Sequence, residues 1–557
     1  PPPPPPRRYD IVYGDVMLNF NYNINRFDIA ATVGWTGRYE NMNNMRVSTN
    51  GGLVTENWFD LNASRYTPSS TLQRMELLKT GYMGTLSLGW DNYLFLELTG
   101  RQERSSTLKD QSFFYPSANL SFLFTQAFHM PSWWNYGKLR LSYGIVGNAP
   151  ETYTANIVYE QGSDNGFTWN TIPSSWGNAD IRPEKKYEYE IGLESKFLNN
   201  RLGIDISYYN NRVKDQILST PQPSTSGVKN VLMNVGEVAN HGWDISISAT
   251  PILTRDFRWD LTANYGVYKN KVVKLADGVP YLEILNSGGS GIKIQAVEGQ
   301  PMGDIYAQVP QVNENGEYLV SDKGLYLNQT ELQKVGNINP AGVGGLFNSF
   351  SYKNVFLDFS IDFRIGGDVI NEMNQYATAV GLTPESLKYR DTEHGGLSYY
   401  YPGDNNSSGI PVQVDPSTGA GPNGEIIYHD GIILPGVVAS TGERNTRIIP
   451  AGYYYNTTYN WGTEAEQLTY RHSVFDNSYV KLRELTIGYQ FPEKMISKLG
   501  LGRLSVSVFR RNLFYFYKAL KNYDAESSVG TSWANQATVG SSTTATRSFG
   551  VSLRASF

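Results

Sequence analysis

The sequence predicts an all-β protein, a transmembrane antiparallel β-barrel, and three observations predict it. Apolar and polar residues alternate along about fifteen segments, as they do when successive side chains of a strand face opposite sides. The connections between those segments run short, long, short, long. Aromatic residues gather beside the short ones. The last stretch, Ala545 to Phe557, shows the first pattern plainly: Phe549, Val551, Leu553, Ala555 and Phe557 share one face, and Ser548, Gly550, Ser552, Arg554 and Ser556 the other.

Composition agrees. The chain has 557 residues, more than one ordinary globular core holds. Hydrophobic residues make up 40% and charged ones only 18%, against roughly a quarter in soluble proteins. Aromatic residues reach 13%, with 39 Tyr and 11 Trp, types that favour membrane–water interfaces. No run of about 18 apolar residues exists, so a spanning helix is not expected. There is no Cys, which removes disulfides and zinc–thiolate sites, and the net charge of -5 with no basic stripe argues against nucleic acid.

The expected strands, in order, are roughly 10–25, 27–40, 77–90, 93–105, 113–126, 137–149, 184–197, 200–215, 240–251, 256–272, 344–353, 354–368, 475–491, 502–517 and 545–557. In 187–194, Tyr187, Tyr189, Ile191 and Leu193 oppose Glu188, Glu190, Gly192 and Glu194. In 243–250, Trp243, Ile245, Ile247 and Ala249 oppose Asp244, Ser246, Ser248 and Thr250. Leu482 and Leu485 break parity, which predicts a β-bulge between them.

Short connections fall near Asn25–Arg26, Asp91–Asn92, His129–Tyr136, Asn199–Asn200, Thr250–Arg255, Lys353–Asn354 and Pro492–Leu501. Long ones cover about 41–76, 106–112, 150–183, 216–239, 273–343, 369–474 and 518–544, and Asp368–Val380 has the makings of a short helix. Outer-membrane barrels have short periplasmic turns and long extracellular loops. Trp90, Tyr93, Trp133, Trp134, Phe197, Trp259 and Tyr489 lie beside the short turns, as an interfacial girdle would. An odd strand count leaves two open edges, and unsatisfied backbone in hydrocarbon is costly. Residues 10–557 are therefore expected to be the carboxyl-terminal part of a barrel whose first strands are absent, with residues 1–9, opened by Pro1–Pro6, a proline-rich or artefactual start.

Three stretches carry a family resemblance. Val297–Ala307 reads V-E-G-Q-P-M-G-D-I-Y-A; Gly336–Asn371 holds G-N-I-N-P-A-G-V-G-G-L-F and F-R-I-G-G-D-V-I-N; Phe475–Tyr517 holds F-D-N-S-Y-V-K-L-R-E-L-T-I-G-Y-Q-F-P and L-S-V-S-V-F-R-R-N-L-F-Y-F-Y. In this order they resemble the carboxyl-terminal barrel of SusC/RagA-type TonB-dependent transporters of Bacteroidota. One departure is the Arg510–Arg511 pair before Asn512, where a small residue is the rule. The resemblance implies a barrel of about 22 strands, so about seven upstream. It implies an amino-terminal plug and TonB box, neither in this sequence, and energy supplied through TonB. It further implies a SusD-like surface lipoprotein seated as a lid, a dimer of transporter–lid pairs, residence in the bacterial outer membrane, and a glycan or peptide substrate too large for porins. No cofactor and no enzymatic activity are implied.

Candidate chemistry is sparse. His129, His241, His394, His429 and His472 are scattered without metal-ligand spacing. Gly288–Gly291 reads as a flexible loop rather than a phosphate cradle, and Asn315–Gly316 as a tight turn rather than part of a calcium loop. Glu97, Glu188, Glu190, Glu194, Asp205, Asp244 and Asp260 fall on the polar faces of strands and read as a hydrated wall. The loop aromatics Trp169, Trp176, Tyr399, Tyr400, Tyr453, Tyr454 and Trp461 are the candidates for substrate or lid contact, because flat rings stack on sugars and peptide side chains; packing of the loops is the competing role. A passive porin or a surface adhesin fits the long loops equally, and a soluble lectin-like sandwich fits less well.

Overall fold

The computed structural model describes residues 7–109, 112–164, 167–287, 291–403, 409–460, 469–527, 532–540 and 545–556. Fifteen strands hydrogen-bond in sequence order into one antiparallel sheet. They are β1 (Arg7–Ile24), β2 (Phe27–Leu53), β3 (Ser64–Trp90), β4 (Leu94–Ser105) and β5 (Ser112–Phe122). Next come β6 (Trp134–Asn148), β7 (Glu184–Phe197), β8 (Leu202–Lys214), β9 (Glu237–Leu253) and β10 (Phe257–Lys274). Last come β11 (Gly342–Tyr352), β12 (Val355–Ile365), β13 (Tyr479–Gln490), β14 (Arg503–Lys518) and β15 (Ser548–Ser556). No helix among the described residues is long and apolar enough to cross a membrane. The chain forms two compact units, Pro1–Ile245 with Asn270–Pro280, and Ser246–Lys269 with Tyr281–Phe557.

In the first unit, register explains the two faces. Ile191 opposes Leu141 on one side and Tyr208 on the other, so apolar residues meet across three strands on one face. On the opposite face Arg140 reaches Asp205 at 2.6 Å and Glu194 at 3.6 Å. Its register partner is Gly192, and a Cβ there would sit 2.8 Å from the guanidinium, so the missing side chain is what lets Arg140 lie across the sheet. The expected wall carboxylates take similar partners: Glu97 accepts from Asn119, and Glu188 pairs with Lys186 at 2.5 Å and accepts from Asn211.

The tight turns use residues that tolerate the left-handed backbone. Asn25, Asp91, Asn92, Asn199 and Asn200 all have positive φ. Beside the turns, rings form a band: Phe27 meets Trp90, Trp90 meets Tyr93, and Tyr93 meets Phe122, at centroid spacings of 6.5, 5.4 and 6.1 Å. In the second unit Trp259, Phe350 and Phe359 continue the same habit at 5.5 and 6.1 Å.

Two regions depart from or sharpen the sequence reading. The expected long loop at 41–76 is mostly ladder: β2 and β3 stay paired through Met45↔Leu72 to Leu53↔Ser64. Polar residues outnumber apolar ones on both faces there, so the two-residue periodicity fades, yet backbone groups pair regardless of side chain. The bulge in β13 lies at Arg483: Ser360 opposes Glu484 while Ile361 opposes Leu482. Pro1–Pro6, Phe557 and the first three glycine-rich loop positions, 288–290, lie outside the described residues.

The long connections fold. In the first unit Leu108, Phe113, Ala155 and Ile181 form a small core that Ile217 and Leu232 join. Asn234 ties two of those connections: its Nδ2 donates to the Arg182 carbonyl at 2.7 Å, and its Oδ1 accepts from the Arg182 N–H at 2.7 Å. In the second unit residues 281–341 carry a four-stranded sheet of Tyr281–Ser287, Ile292–Val297, Asp304–Ala307 and Gln333–Asn337. Residues 366–478 carry helices Glu372–Ala379 and Ala451–Tyr459. Ile292, Ile294, Ile305, Ile370, Val474 and Ala537 share one buried cluster, so three connections have a common core.

Candidate functional site

The site is built on a junction of the three motif stretches. Asp304, fully buried, is held by Asn337 Nδ2 at 2.7 Å and Lys334 Nζ at 2.7 Å. Asn339 Nδ2 donates to the Met302 carbonyl at 2.6 Å, and Arg364 Nη2 donates to the Ile338 carbonyl at 3.1 Å. Asp368 accepts from the Asn337 N–H at 2.9 Å; burial pushes its carboxyl up, and that N–H pulls against the push. Gly366 N–H donates to Ser478 Oγ at 2.7 Å and the Asn477 N–H to the Gly367 carbonyl at 3.0 Å. The glycines serve here: Gly366 and Gly367 have φ of 68° and 78°, which residues with a Cβ rarely adopt.

From this junction the chain enters helix Glu372–Ala379. Asn371, buried, caps it by accepting the Asn374 N–H at 2.9 Å. The second helix ends at Tyr459, whose ring stacks on His472 at 4.4 Å and 17°. These elements and residues 519–522 line a half-open cleft of about 790 Å³. Its lining includes Asn374, Glu385, Tyr459, Arg471, His472 and Lys521. Burial, then the neighbouring Arg471, lowers His472 to about 4, so the imidazole is neutral at pH 7. Asn522 Nδ2 donates to Asn374 Oδ1 at 3.0 Å across the cleft.

The segment after β14 is pinned to the strands by charge. Lys481, only 2% exposed, meets Glu526 Oε2 at 2.6 Å. The bulge residue Arg483 donates to both Glu526 and Asp362. Burial raises the Glu526 carboxyl, but the hydrogen bonds from Arg483 and Lys481 outweigh it and hold it at about 2. Tyr515 Oη donates to Asp524 at 2.6 Å. The parity break in the sequence located the bulge; nothing in the sequence located its partner in a loop.

The loop aromatics are dispersed. Trp169 lies exposed on strand Phe167–Thr171, over Gly162. Trp176 packs edge-on against Tyr159 at 6.0 Å. Tyr399 is 1% exposed, stacked on Tyr428 and donating to Asp430 at 3.1 Å, so it packs the loop interior. Tyr400 is half-buried in strand Leu397–Tyr400, and Tyr453 is exposed. Tyr454 nests against Tyr455 and Tyr459 at 5.1 and 6.2 Å; burial and the neighbouring Tyr455 push its hydroxyl to about 12. Trp461 lies outside the described residues. The cleft residues Tyr459, Arg471 and Lys521 were not among the sequence candidates, and His472 was weighed there only as a scattered histidine; 459 to 521 is too wide a separation for spacing to reveal. His129, His241, His394, His429 and His472 belong to no group that could hold a metal among the described residues.

Comparison with known proteins names the fold. Residues 4–305 match the family described as TonB dependent receptor-like, beta-barrel. TonB-dependent receptor SusC of Bacteroides thetaiotaomicron is 30% identical over 247 residues, 41% of this chain and 24% of that protein. TonB-dependent receptor P3 of Formosa agariphila is 24% identical over 494 residues, 81% of this chain and 42% of that protein. The solved RagAB peptide transporter superposes with a TM-score of 0.67 at 18% identity, covering 93% of this chain and 54% of that one, a likeness of fold. The chain thus spans less than half the length of these curated relatives. With fifteen antiparallel strands in sequence order and a match over more than half its length, the chain belongs to the TonB-dependent receptor β-barrel family of the outer membrane.

Proposed function

We propose that this chain is the barrel part of a SusC/RagA-type importer that takes up a large nutrient through TonB, with a SusD-type lipoprotein as its lid. One observation carries the reading beyond the family: three long connections of the second unit are not slack but share a packed core, and their residues line a half-open cleft. A passive pore needs no such assembly, whereas a binding-driven importer needs a preformed site of a few hundred Å³ or more. Peptide and glycan both suit the reading; RagAB is a peptide transporter by name. TonB would act on a region outside this sequence, and the barrel contributes a rigid wall and the outer half of the binding cavity. The transporter and its lid are proposed to pair further into a dimer.

Two measurements test this. The full-length protein, purified in mild detergent, is expected to bring a surface lipoprotein with it, identified by mass. Uptake of its substrate is expected to stop when TonB is deleted. Undiminished uptake without TonB overturns the importer reading, and the protein running alone through every purification overturns the lid.

A further inference from the structure

We infer that the cleft beside the Tyr459–His472 stack binds an acidic oligosaccharide, a sugar chain bearing uronate carboxylates. The inference deepens the importer reading and rests on it. Arg471, Lys388 and Lys521 line the cleft against a single carboxylate, Glu385, so the cavity has an excess of positive charge to match a polyanion. Glu385 is already within 3.7 Å of Lys388. Lys521 is exposed and has no hydrogen-bond or ion-pair partner among the described residues, and Arg471 commits one nitrogen, Nη1, to the Val474 carbonyl at 3.0 Å. Guanidinium and ammonium groups are the natural partners of carboxylates.

The remaining lining favours sugar over peptide. Asn374, Asn522 and neutral His472 offer mixed donors and acceptors, which is what vicinal hydroxyls require. The imidazole of His472 stacks on the Tyr459 ring; neither ring nitrogen has a hydrogen-bond partner among the described residues, although the residue lines the cavity. A peptide bound in extended form needs open apolar pockets for alternate side chains. The aliphatic lining residues Leu520 and Val474 are 2% and 6% exposed, packed into the loop cores, which leaves Pro384, Ala519 and the half-buried Phe475 as the apolar surface the cleft offers.

The test is equilibrium binding to the full-length protein in detergent, with oligogalacturonate, its uncharged methyl ester and an oligoglutamate peptide as probes. Oligogalacturonate is expected to bind, the ester about tenfold or more weakly, and the affinity to fall with salt. Lys521→Gln, a surface change, and Arg471→Gln are each expected to weaken oligogalacturonate about tenfold. Equal binding of the ester, tighter binding of oligoglutamate, or no effect of Lys521→Gln overturns the inference. Binding in detergent needs no TonB. Lost cleft-dependent binding with TonB-dependent uptake intact therefore sinks this inference alone, and TonB-independent uptake with binding intact sinks the importer reading alone.

Discussion

The strands and the long connections of this protein bury themselves in opposite ways. On the strands, large apolar residues stand exposed: Ile191, Trp243, Phe347, Ile487, and Phe549 at 86%. In the connections of the second unit, Ile292, Ile294, Ile305, Val320, Leu325 and Ile370 are completely buried. The strands are stabilised by their ladder and by lipid; the connections behave as a water-soluble domain with its own core. A loop is therefore not a passive link here, and its length tells little about its order.

The comparison breaks most sharply at the shared core. Ile305→Asp places an unpaired carboxylate in a dry cluster and is expected to cost about 3–5 kcal/mol. Limited proteolysis should cut residues 281–341 and 366–478 while the strands stay intact. Cleavage within the strands instead would mean that the two regions are not separable.

Next in size is a lipid-face charge. Ile191→Arg, mid-strand, is expected to cost about 2–4 kcal/mol in liposome unfolding, while Ser142→Arg, on the polar face beside Glu190, should cost little. Equal effects at both positions would refute the assignment of faces.

Glu526→Gln weakens its contacts to Lys481 and Arg483, leaving Lys481 buried with a poorer partner, and is expected to cost about 1–3 kcal/mol and to free residues 519–527 for proteolysis. Lys388→Gln, in an exposed pair, should change stability by less than about 1 kcal/mol.

The connections should also feel pH before the strands do. His472 titrates at about 4 when folded and 6.5 otherwise, so the unfolded loop takes the proton first and the packing weakens as pH falls from 6.5 to about 4. Glu526, held at about 2 against 4.5, contributes above 4.5 and is lost as pH falls toward 2. Protease sensitivity of the loops against pH should show both steps, and His472→Gln should remove the upper one. The smallest effect belongs to Tyr453→Ala, which removes an exposed ring and should stay within about 0.5 kcal/mol.

Legibility followed the same division. Strand β7 was readable to the residue, 184–197, because one face meets lipid and the other water, and that contrast is written as alternation. The bulge at Arg483 was readable as a lost beat. The turn-side halves of β2 and β3 around 41–76 were not, since polar residues dominate both their faces. The three motifs were legible as a family signature, but their reason appears only in space, where Asp304, Asn337, Asp368 and Ser478 meet.

By itself the sequence determined the strand class, the strand order and the family, since each is set by neighbours a few residues apart. Tertiary structure alone decided which aromatics are packing and which line a cavity. Tyr399 and Tyr400 are adjacent in sequence yet one is sealed and the other half-open, while Tyr459, His472 and Lys521 converge from three separate stretches. Burial in a long connection depends on what folds back over it, and no local pattern records that.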